Sequence, residues 1–150
     1  MKRICKASVL FILLFSLNKS QAQVHFTDLK PKLFGLLADK VNFPKKELEK
    51  VFATTEGALI QLTLSDNVVF KGTVMSSIQR YNNLYSSLIK LDNLDGTVLG
   101  ISKRINDDKS VSYIGRIINQ KYEDGYELTA DATGNYFIKK IKLEDLIQDR

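Results

Sequence analysis

The sequence predicts a mainly β protein: an antiparallel meander of about seven strands forming a small barrel or a curled half-barrel, with one or two N-terminal helices and a short C-terminal helix. Between residues 58 and 141, apolar residues recur at every second position, which is the period of a strand with one buried face. Short segments rich in Asp, Asn and Gly separate these runs, and connections this short join antiparallel neighbours. Gly72, Gly100 and Gly115 fall inside the runs, where glycine marks the bends of a strongly coiled sheet.

Residues 1–22 have the pattern of a secretory signal peptide. Three basic residues precede an apolar run over residues 7–17, and Ser20 and Ala22 place small residues at the −3 and −1 positions of a cleavage site. The apolar run is shorter than the roughly 20 residues that a transmembrane helix needs. We therefore expect cleavage after Ala22 and a secreted or periplasmic protein with no membrane span in its mature form.

The charge balance depends on this leader. The whole chain has 22 Lys and Arg against 17 Asp and Glu, a net charge of +5. Four of the basic residues and none of the acidic ones precede residue 23, so the mature chain is nearly neutral. A nearly neutral chain lacks the basic excess of a nucleic-acid-binding protein, and we expect no such partner. Cys5 is the one cysteine, so the mature chain can form neither a disulfide framework nor a cysteine-rich zinc site.

Residues 23–57 form a predicted helical segment that packs on the sheet. A first apolar stripe follows Pro31 and fits either a helix or an irregular segment; it consists of Leu33, Phe34, Leu36, Leu37 and Val41. A second helix begins after Pro44, has its apolar residues at helical spacing, and ends at Gly57.

Residues 58–150 form the predicted meander. Its strands cover residues 58–65, 68–76, 84–91, a fourth run from residue 97, and residues 111–118, 126–130 and 136–141. The large inward-facing residues are Phe70, Ile89, Ile101, Tyr113, Ile117 and Leu128. A short amphipathic helix with Leu143, Leu146 and Ile147 follows the last strand. Residues 23–150 are one domain, large enough to bury about two-thirds of its unfolded surface without disulfides or metals.

No catalytic set is recognisable. The one histidine, His25, is near the mature N-terminus, so neither a histidine-based zinc site nor a serine–histidine pair can be built in the predicted sheet. The acidic residues fall in turns, where Asp and Asn make local hydrogen bonds. We predict no catalytic residues, no metal site, no cofactor and no enzymatic activity.

Two loops combine arginine with tyrosine, a residue that suits interfaces because its apolar ring has a polar tip. The first is the predicted loop over residues 79–83, and the second is the predicted hairpin over residues 122–126 with the preceding arginine. The predicted contact residues are Arg80, Tyr81, Asn82, Asn83, Arg116, Tyr122 and Tyr126. The alternative role for each tyrosine is cross-strand packing.

The sequence thus favours an exported, non-enzymatic binding or interaction module whose loops contact another exported or envelope macromolecule. One alternative is a carrier that holds a small ligand inside the barrel. A second alternative is a small exported hydrolase that uses turn carboxylates. The closed barrel and the open curled sheet stay as two options, and an open sheet has two edges that are either covered or used for pairing.

Overall fold

The structure is a computed structural model that describes residues 30–65, 67–94 and 96–148. The predicted signal peptide, Cys5 and His25 lie outside the described residues. In chain order, the elements are β1 (Lys40–Asn42), α1 (Lys45–Ala53), β2 (Leu59–Ser65), β3 (Val68–Tyr81), β4 (Leu84–Leu91), β5 (Val98–Ile105), β6 (Val111–Ile118), β7 (Asp124–Ala130), β8 (Tyr136–Lys142) and α2 (Asp145–Gln148).

The eight strands form one antiparallel sheet in the order β1-β8-β7-β6-β5-β4-β3-β2. Strands β2 to β8 pair in chain order, from β2 with β3 to β7 with β8, which confirms the predicted meander. The sheet curls until β1 and β2 lie side by side, giving a nearly closed barrel. The short C-terminal helix is present as α2.

Side chains of α1 complete the seam between the two end strands. The Thr63 N–H of β2 donates a hydrogen bond to Glu47 Oε2 at 3.3 Å, and Lys50 Nζ donates to the Gln61 carbonyl. These backbone groups belong to an end strand, and β1 pairs with β8. Charged side chains thus cover part of the outer edge of β2. The helix starts after Pro44 as predicted and ends at Ala53, before the predicted end at Gly57.

The apolar stripe after Pro31 forms the irregular segment that was one of its two predicted options, and β7 holds residues 30–39 in place. The buried carboxylate of Asp124 accepts hydrogen bonds from the backbone N–H groups of Leu33 and Phe34, at 2.6 and 3.0 Å. Those N–H groups are therefore held by a side chain ninety residues away instead of by a helix. The segment continues into β1, a strand that the sequence did not predict, where Val41 is buried.

The barrel interior is an apolar core. All six large residues predicted to face inward are buried: Phe70, Ile89, Ile101, Tyr113, Ile117 and Leu128. Two of the three strand glycines are required by close approach. A Cβ on Gly72 would lie 2.3 Å from the Lys90 carbonyl oxygen, and one on Gly115 would lie 2.5 Å from the Gly100 carbonyl oxygen. At Gly100 itself a Cβ would meet only the tip of Leu88 at 3.8 Å, so this glycine is not required by space.

Strand β3 is longer than predicted. It runs for 14 residues to Tyr81, so Arg80 and Tyr81 lie in a strand and only Asn82 and Asn83 form the turn to β4. The interpretation of residues 79–83 as a loop is therefore wrong. Register shifts between Val74 and Ser76 and between Gln79 and Tyr81 interrupt the two-residue period on which that interpretation relied.

We expect Gly115→Ala to lower the free energy of unfolding by about 1–3 kcal/mol, because its Cβ overlaps the backbone of β5. Gly100→Ala is the matched control on the neighbouring strand and should stay within about 0.5 kcal/mol of the parent. Urea denaturation measures both values. Equal effects of the two substitutions would contradict the close approach at Gly115.

We expect Asp124→Ala to destabilise the fold by about 1–3 kcal/mol, because two N–H groups of the N-terminal segment lose their acceptor. Asp39→Ala is the control: its carboxylate is exposed, lies 3.1 Å from Lys140 Nζ, and should contribute less than about 1 kcal/mol. Amide hydrogen exchange should show faster exchange at residues 33 and 34 in Asp124→Ala. Unchanged exchange there would show that Asp124 does not hold the segment.

Candidate functional site

The predicted contact residues fall in four places, and Tyr126 is in the core. Arg80, Tyr81, Asn82 and Asn83 are exposed at the β3–β4 turn. Arg116 is on the outer surface of β6, where its Nε and Nη2 atoms donate to Glu127 Oε1 of β7 at 3.1 and 2.9 Å. Tyr122 lies in the β6–β7 connection, which in a meander is at the opposite end of the barrel from the β3–β4 turn.

Tyr126 is a core residue, and the interpretation of residues 122–126 as an exposed hairpin is wrong. Asp124 and Tyr126 belong to β7 and are buried. The Tyr126 ring packs edge-on against Phe34 with ring centroids 5.0 Å apart, and its hydroxyl donates to the Ala38 carbonyl at 2.6 Å. Tyr126 therefore anchors the N-terminal segment and is not exposed to a partner.

The outer surface of β3–β6 carries exposed apolar side chains. Ile78 is paired with Ser86 of β4, Ser86 with Ser102 of β5, and Ser102 with Ile114 of β6. Two isoleucines thus flank two serines in one row across four strands. In the adjacent row, Leu88 is paired with Gly100. We call Ile78, Leu88 and Ile114 the outer patch; 42%, 41% and 68% of their surfaces are exposed.

The small residues between these side chains leave two depressions that share Ser102 and Ile114. The smaller has a volume of about 290 Å³ and is lined by Leu84, Ser102, Arg104, Ser112 and Ile114. The larger has a volume of about 550 Å³ and is lined by Gly100, Ser102, Ile114, Gly115, Arg116, Glu127, Leu128 and Thr129. The Ile114 side chain thus stands between two concave areas, one bordered by Arg104 and the other by Arg116.

The larger depression lies where β6 and β7 diverge. The two strands pair only at residues 115–117 of β6, although β6 begins at residue 111. The Tyr113 N–H, just beyond the paired residues, donates to the Tyr136 hydroxyl at 3.1 Å. A side chain of β8 thus supplies the acceptor that β7 does not supply at this position. The sheet opens here while this backbone N–H stays satisfied.

A third depression, of about 810 Å³, lies between the N-terminal segment and the outer surface of β8. Its charged side chains are balanced: Lys32, Lys40, Lys139, Lys140 and Lys142 against Asp39, Glu123, Asp124, Glu127 and Asp145. Lys32 Nζ lies 3.6 Å from Glu123, and Lys140 Nζ donates to the Leu37 carbonyl at 2.8 Å. These contacts attach the N-terminal segment to the sheet, and we assign this depression a structural role.

Acidic side chains in two turns make the local hydrogen bonds expected from the sequence. Asp131 accepts from the Thr133 hydroxyl at 2.7 Å and from the Asn135 N–H at 3.0 Å, and these bonds lower its pKa to about 2. Hydrogen bonds from Ser110 likewise lower the pKa of Asp108. Within residues 30–65, 67–94 and 96–148, no three His, Cys, Asp or Glu side chains converge on a metal-sized site. The helices of this part of the chain are too short and too polar to cross a membrane.

No protein-family model matches the chain, and comparisons with curated proteins and with solved structures return no match. The function is therefore inferred from the sequence and from the geometry described above.

The titration of Tyr126 makes the free energy of unfolding depend on pH in the alkaline range. Burial and, to a lesser extent, the carboxylates of Asp124 and Asp39 together raise the pKa of Tyr126 to about 12. In the unfolded chain a tyrosine titrates near pH 10, so the contribution of neutral Tyr126 is complete below about pH 10. It is lost as the pH rises from about 10 to 12, because the unfolded state releases its proton first.

We expect Tyr126→Phe to reduce stability at pH 8, since the hydrogen bond to Ala38 is lost, and to flatten the decline between pH 10 and 12. Urea denaturation of parent and variant at pH 8, 10 and 11 measures this difference. Parallel pH profiles for the two proteins would contradict the proposed titration of Tyr126.

Proposed function

We propose that this chain is an exported, non-enzymatic interaction module that binds another exported or envelope macromolecule through the outer patch. The observation that carries the proposal is the cluster of Ile78, Leu88 and Ile114 on the outer surface of β3–β6. The outward residues of a sheet with one solvated face are normally polar. A group of exposed apolar residues on that face is typical of an interaction surface.

The shape of the patch favours a protein partner. Ile114 projects between two depressions whose floors are made by serine and glycine, so each depression can receive a side chain from a partner. Covering a large aliphatic side chain is worth roughly 1.5–3 kcal/mol. Two arginines border the depressions, and an apolar centre with a polar rim is the usual arrangement of a protein–protein interface.

Several of the contact residues predicted from the sequence adjoin this patch. Tyr81 is paired with Leu84, which lines the smaller depression, and Arg80, Asn82 and Asn83 flank Tyr81. Arg116 lines the larger depression. We propose that these residues form the polar margin of the interface. Tyr122, at the opposite end of the barrel, is outside it.

The proposal that the protein is exported is supported by the basic and apolar pattern of residues 1–22. The non-enzymatic role rests on the absence of a recognisable catalytic set from the sequence. Hydrolysis by turn carboxylates stays as an alternative, and Asp108 and Asp131 support it little because hydrogen bonds within their own turns occupy them.

The carrier alternative has one observation in its favour. Ser87 is buried on the inward face of β4, and its hydroxyl has no hydrogen-bond partner among the described residues. A buried hydroxyl of this kind is normally satisfied by water or by a polar atom of a ligand. Native mass spectrometry of the exported protein tests the alternative: a small-molecule adduct that is lost on denaturation would support it, and a bare protein mass would contradict it.

The main proposal is tested with Ile114→Ser. Exported parent and variant, each immobilised at equal density, are incubated with the secreted and envelope proteins of the source cells, and bound proteins are quantified by mass spectrometry. We expect a partner enriched by the parent and at least about tenfold weaker on Ile114→Ser, the loss from removing one central apolar contact worth about 1.4 kcal/mol or more.

Leu59→Ser is the matched control. Leu59 is also an exposed apolar residue on the outer surface, 78% exposed, but it lies on β2, away from the outer patch. We expect this variant to keep the partner. No enriched protein on the parent, or an equal loss in both variants, would contradict binding at the outer patch.

A further inference from the structure

One edge of the second half of β3 has no strand partner among the described residues. Pairing of β2 with β3 ends at Thr73, and the last backbone bonds on that side join Val74 to Gly57 and Ala58 at 2.8 and 3.0 Å. Strand β3 then continues from residue 75 to Tyr81 with β4 on one side only. All but one of these seven residues are exposed. We call residues 75–81 the open edge.

The open edge has few of the residues that keep such edges from pairing. It has no proline, and Arg80 is its one charged residue. Met75, Ile78 and Tyr81 along it are exposed apolar residues. An exposed, apolar strand edge of this length is a template for another strand.

We propose that a second copy of this chain pairs with the open edge, antiparallel, about a twofold axis at Ile78. This register places Ile78 opposite Ile78, Ser77 opposite Gln79, and Ser76 opposite Arg80. Met75 then lies opposite Tyr81. Apolar residues meet apolar residues, and the charged residue meets a serine, so the edge is complementary to itself.

Neighbouring registers are less favourable. An axis at Arg80 places two guanidinium groups directly opposite each other, which is destabilising. An axis at Gln79 places Arg80 opposite Ile78. An axis at Ser77 places Arg80 opposite Val74, whose backbone groups are already bonded to Gly57 and Ala58. The axis at Ile78 avoids all three conflicts.

The pairing would also join the outer patches of the two copies. Directly opposite residues of an antiparallel pair lie on the same face of the sheet. The row from Ile114 through Ser102 and Ser86 to Ile78 therefore continues into the same row of the second copy. This inference does not depend on the partner proposed above, because it concerns the purified chain alone.

A pairing of seven residues is at the small end of specific interfaces, so we expect a reversible dimer with a Kd in the range of roughly 1–100 μM. Sedimentation velocity on the exported full-length product, from 1 to several hundred μM, should show this equilibrium. Ile114→Ser, which leaves the open edge intact, should dimerise like the parent. A monomer throughout this concentration range would overturn the inference without affecting the capture experiment on Ile114.

Charged substitutions at residue 78 test the register of the proposed dimer. Ile78→Lys and Ile78→Glu should each be monomeric, because residue 78 faces its own copy and like charges meet. An equimolar mixture of the two should dimerise again, since the charges are then opposite. Leu59→Lys, on β2, is the control and should dimerise like the parent. Dimers in either single variant, or no dimer in the mixture, would overturn the axis at Ile78.

Cysteine cross-linking provides a second test of the register, one that does not depend on disrupting the dimer. In the exported product, from which the expected cleavage after Ala22 removes Cys5, Ile78→Cys should form an intermolecular disulfide on mild oxidation, because opposite Cβ atoms of paired strands are about 4.5–5.5 Å apart. Arg80→Cys should not, because it faces Ser76. Equal cross-linking of both variants would overturn the register, and an unrelated protein cross-linked to Ile78→Cys in place of a second copy would overturn the choice of partner.

Discussion

The edges of the sheet are the constraint on which the rest of this structure depends. A sheet that curls until its end strands meet must still satisfy the backbone groups of those strands. Here β1 pairs with β8, and the side chains of Glu47 and Lys50 bond to the β2 backbone. These charge-assisted contacts hold α1 on the seam, and the neighbouring residues Leu48 and Val51 enter the core. The same helix therefore contributes to barrel closure and to core packing.

The position of β1 likewise depends on hydrogen bonds between side chains and backbone groups. Its three residues follow a segment that cannot hold itself in place by regular secondary structure. Asp124 binds the start of that segment and the Tyr126 hydroxyl binds its end, so β7 delivers the chain to the edge of β8. Lys140 reinforces the attachment from β8 itself. A carboxylate and a phenol at the beginning of one strand thus determine where the first strand of the barrel lies.

These long-range contacts mark the boundary of what the sequence could predict. The alternation of apolar and polar residues predicted the same bounds for β4 and β6 as the structure has. It also identified the core residues, because each inward-facing position of these strands is itself occupied by an apolar residue. It failed for β1, where one buried valine in three residues forms no pattern, and for the end of β3, where two register shifts break the period. It left the stripe after Pro31 open between a helix and an irregular segment, because the hydrogen bonds that decide between them come from Asp124, which no local pattern reveals.

The candidate site could be predicted only in part, for a related reason. Composition selected Arg80 to Asn83 and Arg116, which surround the outer patch, but passed over its apolar centre. The sequence did contain a signal for this centre. Leu88 and Ile114 occupy outward-facing positions of β4 and β6, where the neighbouring outward residues Ser86 and Arg116 are polar. Several apolar residues at outward positions of neighbouring strands are the pattern that indicates an exposed apolar surface.

The free edge and the apolar patch are best understood together, since Ile78 belongs to both. The barrel covers the β2 edge with charged side chains and satisfies Tyr113, where β6 and β7 part, with the Tyr136 hydroxyl. The chain therefore has the means to close exposed backbone, and it uses them at two places where the sheet would otherwise be open. Along residues 75–81 it uses none, and the register shifts at both ends of this stretch separate it from the β2 seam. A strand edge left open next to an exposed apolar surface, in a fold that covers backbone groups with side chains at two other openings, is the arrangement expected of a surface that pairs with another chain.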